Sequence, residues 1–230
     1  MRMIHDIAID GPAASGKTVV GRLLAQRLGW RFLDTGVMYR AVTWLALERG
    51  VSLEDADGLG DLARTYPIRL ADGVSSDDVS RPVETAGTRL GPELYQSRVD
   101  NNVSNVSKHS TVRRALVDQQ REIAELAATV SGIVMIGRDI GTVVLPDAGL
   151  KVYLTASAEQ RALRRWREMR ERGQEINLAT VQSEIEARDV IDSSRDDSPL
   201  RPAADAWPLD SSGLSIEETV DAIMRRMEGC

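Results

Sequence analysis

The segment Gly11-Pro12-Ala13-Ala14-Ser15-Gly16-Lys17-Thr18 restricts the possible folds of this chain more than any other feature. Its pattern is Gly, four residues, Gly, Lys, Ser/Thr. It follows an apolar run, Ile4 to Ile9, that reads as a buried strand ending at Asp10. It precedes a helix at about Lys17 to Leu28, where Val20, Leu23, Leu24 and Leu28 recur at helical spacing. Strand, glycine turn and helix form the opening βα unit of a parallel sheet. In that frame the backbone folds around an anion, with successive N–H groups and the positive helix end facing phosphate. Residues Gly11 through Val19 are therefore expected to hold a nucleotide triphosphate, Lys17 reaching the β and γ groups and the Thr18 hydroxyl ligating Mg²⁺. A phosphate loop alone does not choose among switch, motor, hydrolase and kinase.

The alternation continues. Trp30 to Leu33, Ile133 to Ile136, Leu150 to Leu154 and, more weakly, Ala206 to Leu209 read as further strands. Helical patterns run from Asp34-Thr35-Gly36 through Leu47, and at about Thr111 to Thr129, Ala158 to Arg172, Leu178 to Ile191 and Ser215 to Met227. The fold class is α/β, one main core with insertions. Between about Leu59 and Ser110 the order breaks into Pro67, Asp72-Gly73, a Ser/Asp run from Ser75 to Ser80, Pro82, Gly87 and Gly91-Pro92. That stretch, 59–110, is expected to be an insertion in a core of 1–58 and 111–230.

Composition narrows the function. A formal charge of −6 disfavours a sequence-independent grip on a nucleic-acid polymer, and 4% aromatic residues leave no stacking platform for single strands. The lone cysteine, Cys230, excludes an intrachain disulfide framework and a four-cysteine zinc site. No signal-peptide middle region and no uncharged apolar run of about 20 residues is present, so a cytoplasmic chain that stays off membranes is expected. Of 29 basic residues only three are lysines, Lys17, Lys108 and Lys151, leaving 26 arginines. Guanidinium groups clamp phosphate bidentately, although codon bias also explains an arginine excess.

Three charged clusters fall at predicted strand ends and helix starts, where ligands sit in an open parallel sheet. Thr35 caps a helix whose next turn carries Arg40, Arg138-Asp139 follows the third strand, and Arg188, Asp192 and Arg195 share a helical face. Each taken singly is equally a surface ion pair or a cap. Together they suit phosphoryl transfer, which is chiefly positioning and charge stabilisation. Arg161, Arg164, Arg165, Arg167, Arg170 and Arg172 form either a solvated helix face or an arm closing over a triphosphate. His5 and His109 read as structural or exposed.

These residues resemble the bacterial cytidylate kinase family. The likeness runs in order through Ile9-Asp10-Gly11-Pro12 and the phosphate loop, Leu33-Asp34-Thr35-Gly36, Met38-Tyr39-Arg40 and Val112-Arg113. It continues through Gly137 to Val144 with Pro146-Asp147-Ala148, Leu154 to Ser157 with Arg161-Ala162, Arg188-Asp189, Ser198-Pro199-Leu200 and Ala203 to Ala206. The resemblance implies a P-loop nucleoside monophosphate kinase fold with a five-stranded parallel sheet, a monophosphate-binding insertion and a short lid at about 161–175. It implies transfer of the ATP γ-phosphoryl group to CMP or dCMP with Mg²⁺; separately, a monomer is expected. Carried over by position, Arg40, Arg138 and Arg195 hold the acceptor phosphate with Thr35 beside it, and act with Lys17 in catalysis. Ser104, Arg113 and Asp139 read the cytosine edge, Arg188 and Asp192 contact the sugar, and Arg161 and Arg165 reach the ATP phosphates. Uracil would set a carbonyl against a buried carboxylate where cytosine offers an amino donor.

The segment from about Asp72 to Gln96 departs from the family pattern. An arginine that the family usually carries shortly before the equivalent of Ser104 is not in register: position 95 is Tyr95, and Arg98 and Arg89 are the candidate substitutes. A kinase of UMP or AMP and a nucleotide-dependent switch are the alternatives. The switch is weakened because Ile133 to Ile136 runs into Gly-Arg-Asp rather than an acidic Walker B end.

Overall fold

A computed structural model describes residues 4–70, 82–171, 173–195 and 197–229. The Ser75–Ser80 run, Asp72-Gly73, Arg172 and Cys230 lie outside them. The chain divides into two compact units, one of residues 1–33 and 126–230 and the other of residues 34–125. The expected insertion, 59–110, falls within the second.

The first unit is built on a parallel sheet. Strands β1 (Asp6–Asp10), β2 (Arg31–Asp34), β6 (Ile133–Gly137), β7 (Leu150–Thr155) and β8 (Trp207–Asp210) lie in the order β2-β6-β1-β7-β8. β1 runs parallel to β6 and β7, and β7 to β8. Since β1 is central and its neighbours come from much later in the chain, its C-terminal end is the point where connections depart in opposite directions. Ligands of open α/β sheets bind there. Register brings Asp10 level with Gly137 on one side and Tyr153 on the other. The near-continuous apolar reading of β1 and β6 follows from burial on both faces. Ile7, Ile9, Val134 and Ile136 pack with Val20 and Leu24 of α1 (Lys17–Leu28) and with Val220 and Ile223 of α9 (Ile216–Glu228). Phe32, the one phenylalanine, fills the β2 side of this core. Helices α7 (Ala158–Glu171) and α8 (Leu178–Ser194) pack through Ala162, Val181 and Ile185, with Trp166 and Ile176 alongside.

The second unit holds α2 (Thr35–Arg49), α3 (Ala56–Thr65), the antiparallel sheet β3 (Arg69–Leu70), β4 (Val83–Thr85) and β5 (Thr88–Leu90), the short helices α4 (Ser97–Asp100) and α5 (Val103–Ser107), and most of α6 (Ser110–Ala128). This stretch is more regular than its broken pattern suggests. The strands are too short to show period-2 patterning, and β4 and β5 join at Ala86-Gly87, both at positive φ (51° and 73°), as a tight hairpin turn requires. Buried Leu90, Leu94, Val99, Val103 and Val106 supply the unit's apolar interior with Leu59 and Leu62.

Two local expectations are corrected. Asp34, not Thr35, caps α2: its carboxylate accepts the Gly36 N–H, and Thr35 is the first helical residue. A carboxylate reaches that N–H from the extended Asp34 backbone and also suits the positive helix end. Arg195 does not share a helical face with Arg188 and Asp192. α8 stops at Ser194, and Arg195 is extended, at φ −63° and ψ 138°. The chain then turns through Ser198, at φ 52°, and returns so that the Leu200 N–H donates to the Asp192 carbonyl at 2.7 Å.

Candidate active site

The phosphate loop lies between β1 and α1. Gly11 stands at φ +152°, and a Cβ there would meet the Leu154 carbonyl oxygen of β7 at 2.0 Å, so only glycine lets the loop leave the sheet at this place. Ala14 and Gly16 also take positive φ, 57° and 96°. Gly16 is the N-cap of α1 and has no side chain to cap it. The first N–H groups of α1 are therefore left to an anion. Lys17 is buried, and its ammonium donates to the Gly11 and Pro12 carbonyls at 2.7 Å each and to Ser15 Oγ at 3.3 Å, over the loop. Thr18 and Val19 are exposed on the first turn.

Asp10 ends β1 beneath the loop. Its two oxygens accept the N–H groups of Ile140 and Gly141, each at 2.8 Å. These begin a π-helical turn, Ile140–Val144, that no periodicity in the sequence announces. Burial pushes the Asp10 carboxyl up to about 6; Asp139 adds to the rise, while the two N–H groups and Lys17 oppose it. Asp10 thus fixes the turn immediately after Arg138-Asp139, and Asp139 is itself buried.

Asp192 is the charge centre of this unit. Arg138 Nε donates to one of its oxygens at 2.8 Å, and Arg195 lies 3.2 Å from the other. Burial would raise its pKa, but Arg138, Arg195 and Arg188 outweigh that and hold the carboxyl below its usual value. Three of the expected acceptor-side groups, Arg138, Asp192 and Arg195, are thereby brought together, with Arg188 close enough to be felt.

The arginines of α7 form neither a fully solvated face nor a free arm. Arg161 is buried, donating to the Ala156 carbonyl at 3.1 Å, the Ala13 carbonyl at 3.2 Å and Asp189 at 2.6 Å. Arg164 donates to the Ser15 carbonyl at 3.2 Å and to Ser211. Burial lowers the Arg164 pKa. Both are fastened to the phosphate loop. Farther along, Arg165 pairs with Glu168, Arg170 lies over the Trp166 ring, and Arg167 is exposed.

Tyr153 went unnoticed in the sequence. Its phenol pKa is raised by burial and by Asp189 and Asp10, and lowered by Arg138 and Arg161, so it sits among these groups. The available signal was a polar-tipped aromatic near the C-terminal end of a strand beside β1.

In the second unit, Arg40 donates to the Leu94 carbonyl at 3.0 Å, pairs with Asp100 at 2.6 Å and lies 5.0 Å from the Tyr95 ring centroid. Asp100 and Tyr95 were not marked as partners by sequence reasoning. Arg113 is buried, donates to the Ser107 carbonyl at 3.2 Å and lies over the Tyr39 ring at 5.4 Å. Ser104, on α5, is half-buried, and its carbonyl accepts the Ser107 hydroxyl. Thr35 is buried. Arg98 is committed to Glu48 at 2.6 Å, and Arg89 is exposed on β5.

The loop fits a triphosphate: a glycine-shaped concavity, uncapped helix N–H groups and a buried ammonium. Among the described residues no cluster of three or more His, Cys, Asp or Glu side chains could hold a metal, and no helix is long and apolar enough to cross a membrane. A Mg²⁺ held mainly by phosphate and water, with Thr18 as its protein ligand, is compatible with that donor set.

A phosphate loop on the central strand of a parallel sheet, with arginines gathered past the strand ends, defines the class of P-loop α/β phosphotransferases. The family model described as Cytidylate kinase matches residues 7–229. The chain is 45% identical over 222 residues to the cytidylate kinase of Streptococcus mutans, covering 96% of this chain and 95% of that one. It is 44% identical over 224 residues to that of Desulfitobacterium hafniense, covering 97% and 93%. A solved structure of an uncharacterised protein from Eubacterium ventriosum shares the fold at TM-score 0.50 and 11% identity, covering 99% of this chain and all of that one. The chain belongs to the cytidylate kinase family and is a nucleoside monophosphate kinase. The switch alternative falls with that membership.

Proposed function

We propose that this chain transfers the γ-phosphoryl group of ATP to CMP or dCMP, giving CDP or dCDP and ADP, as a monomer in the cytoplasm. The observation that carries the reading is the convergence of Arg138 and Arg195 on Asp192, in the same unit as Lys17 and its loop. The shared carboxylate holds the guanidinium groups in place before a substrate arrives. A guanidinium carries five N–H donors in a fixed fork, more than one carboxylate can take up, so a clamp already oriented this way needs little reorganisation during the reaction. The acceptor phosphate oxygen attacks the γ-phosphorus as the bond to the ADP oxygen breaks. Lys17, Arg138 and Arg195, with Arg40, stabilise charge spread over the transferred group. Thr18 would be the protein ligand of Mg²⁺, which would supply charge neutralisation on the donor phosphates.

For the donor, residues Gly11 to Val19 cradle the phosphates with Arg161, and Arg165 belongs to the same helix. For the acceptor, Asp139 with Ser104 and Arg113 reads the cytosine edge, Arg188 and Asp192 take the sugar, and Thr35 lies beside the phosphate. Arg113 suits this part because its contacts with Ser107 and the Tyr39 ring fix its direction. A coupled assay offering CMP, dCMP, UMP and AMP tests the assignment. CMP and dCMP are expected to outrun the others, and faster turnover of UMP or AMP would overturn it.

A further inference from the structure

Asp189 has no part in the roles given above. It lies on α8 between Arg188 and Asp192, and both of its carboxylate oxygens are turned to the phosphate loop side: one accepts the Ala13 N–H at 3.4 Å, the other an Arg161 N–H at 2.6 Å. The same Arg161 nitrogen donates to the Ala13 carbonyl at 3.2 Å. A carboxylate on the helix that bears acceptor-side groups therefore takes a main-chain donor of the loop together with the cation beside it. Donor phosphate oxygens are drawn to these same two donors, and two anions cannot share them without strong repulsion.

A second observation is independent of the first. The apolar anchors of α8, Val181 and Ile185, lie in its first half, whereas Val190 and Ile191 in its second half are 66% and 46% exposed. From Asp189 onward the helix is held by charge rather than by core packing: Asp189 on the loop, Asp192 on Arg138 and Arg195. Such a segment can shift when one ionic contact is exchanged for another.

We propose that Asp189 is a carboxylate latch, a positioning residue that occupies the Ala13 N–H and Arg161 and is displaced by the donor triphosphate, releasing the second half of α8 with Arg188 and Asp192. This rests on the reading of the loop and Arg161 as donor-nucleotide contacts. The latch makes donor binding weaker than the loop alone would allow, and makes the acceptor-side helix respond to donor arrival.

The test is binding of a non-hydrolysable ATP analogue to the full chain by calorimetry, for the unaltered chain and for Asp189→Asn, with steady-state kinetics on CMP. Asp189→Asn is expected to bind the analogue on the order of tenfold tighter, because the competing charge is gone. KM for ATP should fall by a similar factor without a matching change in kcat. Unchanged or weaker binding, with the melting temperature preserved, would make Asp189 a buttress of the loop and overturn the latch. Should Asp189→Asn fail to fold, hydrogen exchange in the unaltered chain decides. Exchange over residues 186–194 is expected to rise when the analogue binds, and an unchanged or slower rate overturns the proposal. If the unaltered chain neither binds the analogue nor phosphorylates CMP, the donor-site reading itself fails, and the latch with it. Normal turnover with unaltered affinity in Asp189→Asn removes the latch alone.

Discussion

In the unit that carries the phosphate loop, two guanidinium groups share one buried carboxylate, and the anion cradle, the loop itself, is built from backbone. In the other unit, Arg40 is divided among the Asp100 carboxylate, the Leu94 carbonyl and the face of Tyr95, all supplied by the 3₁₀ turn Pro92–Tyr95 and the short helix α4. Backbone cradles are fixed by glycine positions and strand ends, so few substitutions leave them intact. Side-chain cradles on short helices can change one member and keep the rest. Tyr95 shows this: where arginine is expected, an aromatic ring supports the neighbouring arginine through a cation–π contact.

The largest effect should come from Lys17→Met, which removes the ammonium seated on the loop. We expect kcat with CMP to fall about 10³-fold, while the ratio of CMP to UMP turnover stays unchanged. A shift in that ratio would mean that Lys17 takes part in base choice as well as in transfer.

Asp10 bears the cost of the backbone cradle. Between the ordinary value of 3.8 and about 6 the native chain retains a proton that the unfolded chain has lost. Stability should therefore decline as pH rises through that window, by about 3 kcal/mol in all, with the full penalty present above it. Urea midpoints from pH 4 to 7 should show this slope in the unaltered chain and not in Asp10→Asn.

The next effect concerns base choice. Asp139→Ala should cut the preference for CMP over UMP by about 10- to 100-fold, whereas Arg138→Ala should lower turnover of every acceptor alike. Equal losses across bases in both variants would erase the distinction between a reader and a phosphate clamp.

The smallest effect should follow Tyr95→Ala, which withdraws the ring from Arg40. A contact of this kind is worth about 0.5–1 kcal/mol at a partly exposed site, so KM for CMP should rise about two- to fivefold with kcat held. A fall in kcat instead would place the Tyr95–Arg40 contact in the transition state.

Much of the first unit was legible in the sequence because its determinants are local. The loop follows from eight consecutive residues, and β6, the neighbour of β1, is an unbroken apolar run from Ile133 to Ile136. Residues Arg138 and Asp139 stood out by lying at a strand end. Asp10 was visible as the end of β1, but its bonds to Ile140 and Gly141 join segments 130 residues apart, and nothing in either segment encodes that meeting. Asp189 could be seen beside Arg188 only as part of a charged pair, since its partners Ala13 and Arg161 depend on how α7 and α8 pack. In the second unit, β3 to β5 escaped because two- and three-residue strands carry no readable period. Asp100 escaped because an acidic residue on a four-residue helix has the look of ordinary surface.

Arg27, in the last turn of α1, bonds Glu217 and Asp221 on α9, and α9 is begun by a reciprocal cap between Ser215 and Glu218. The far end of the loop's helix is thus tied down like the butt of a fishing rod. Those pairs are partly exposed and worth about 0–1 kcal/mol each, so they damp the sway of the pole without locking it.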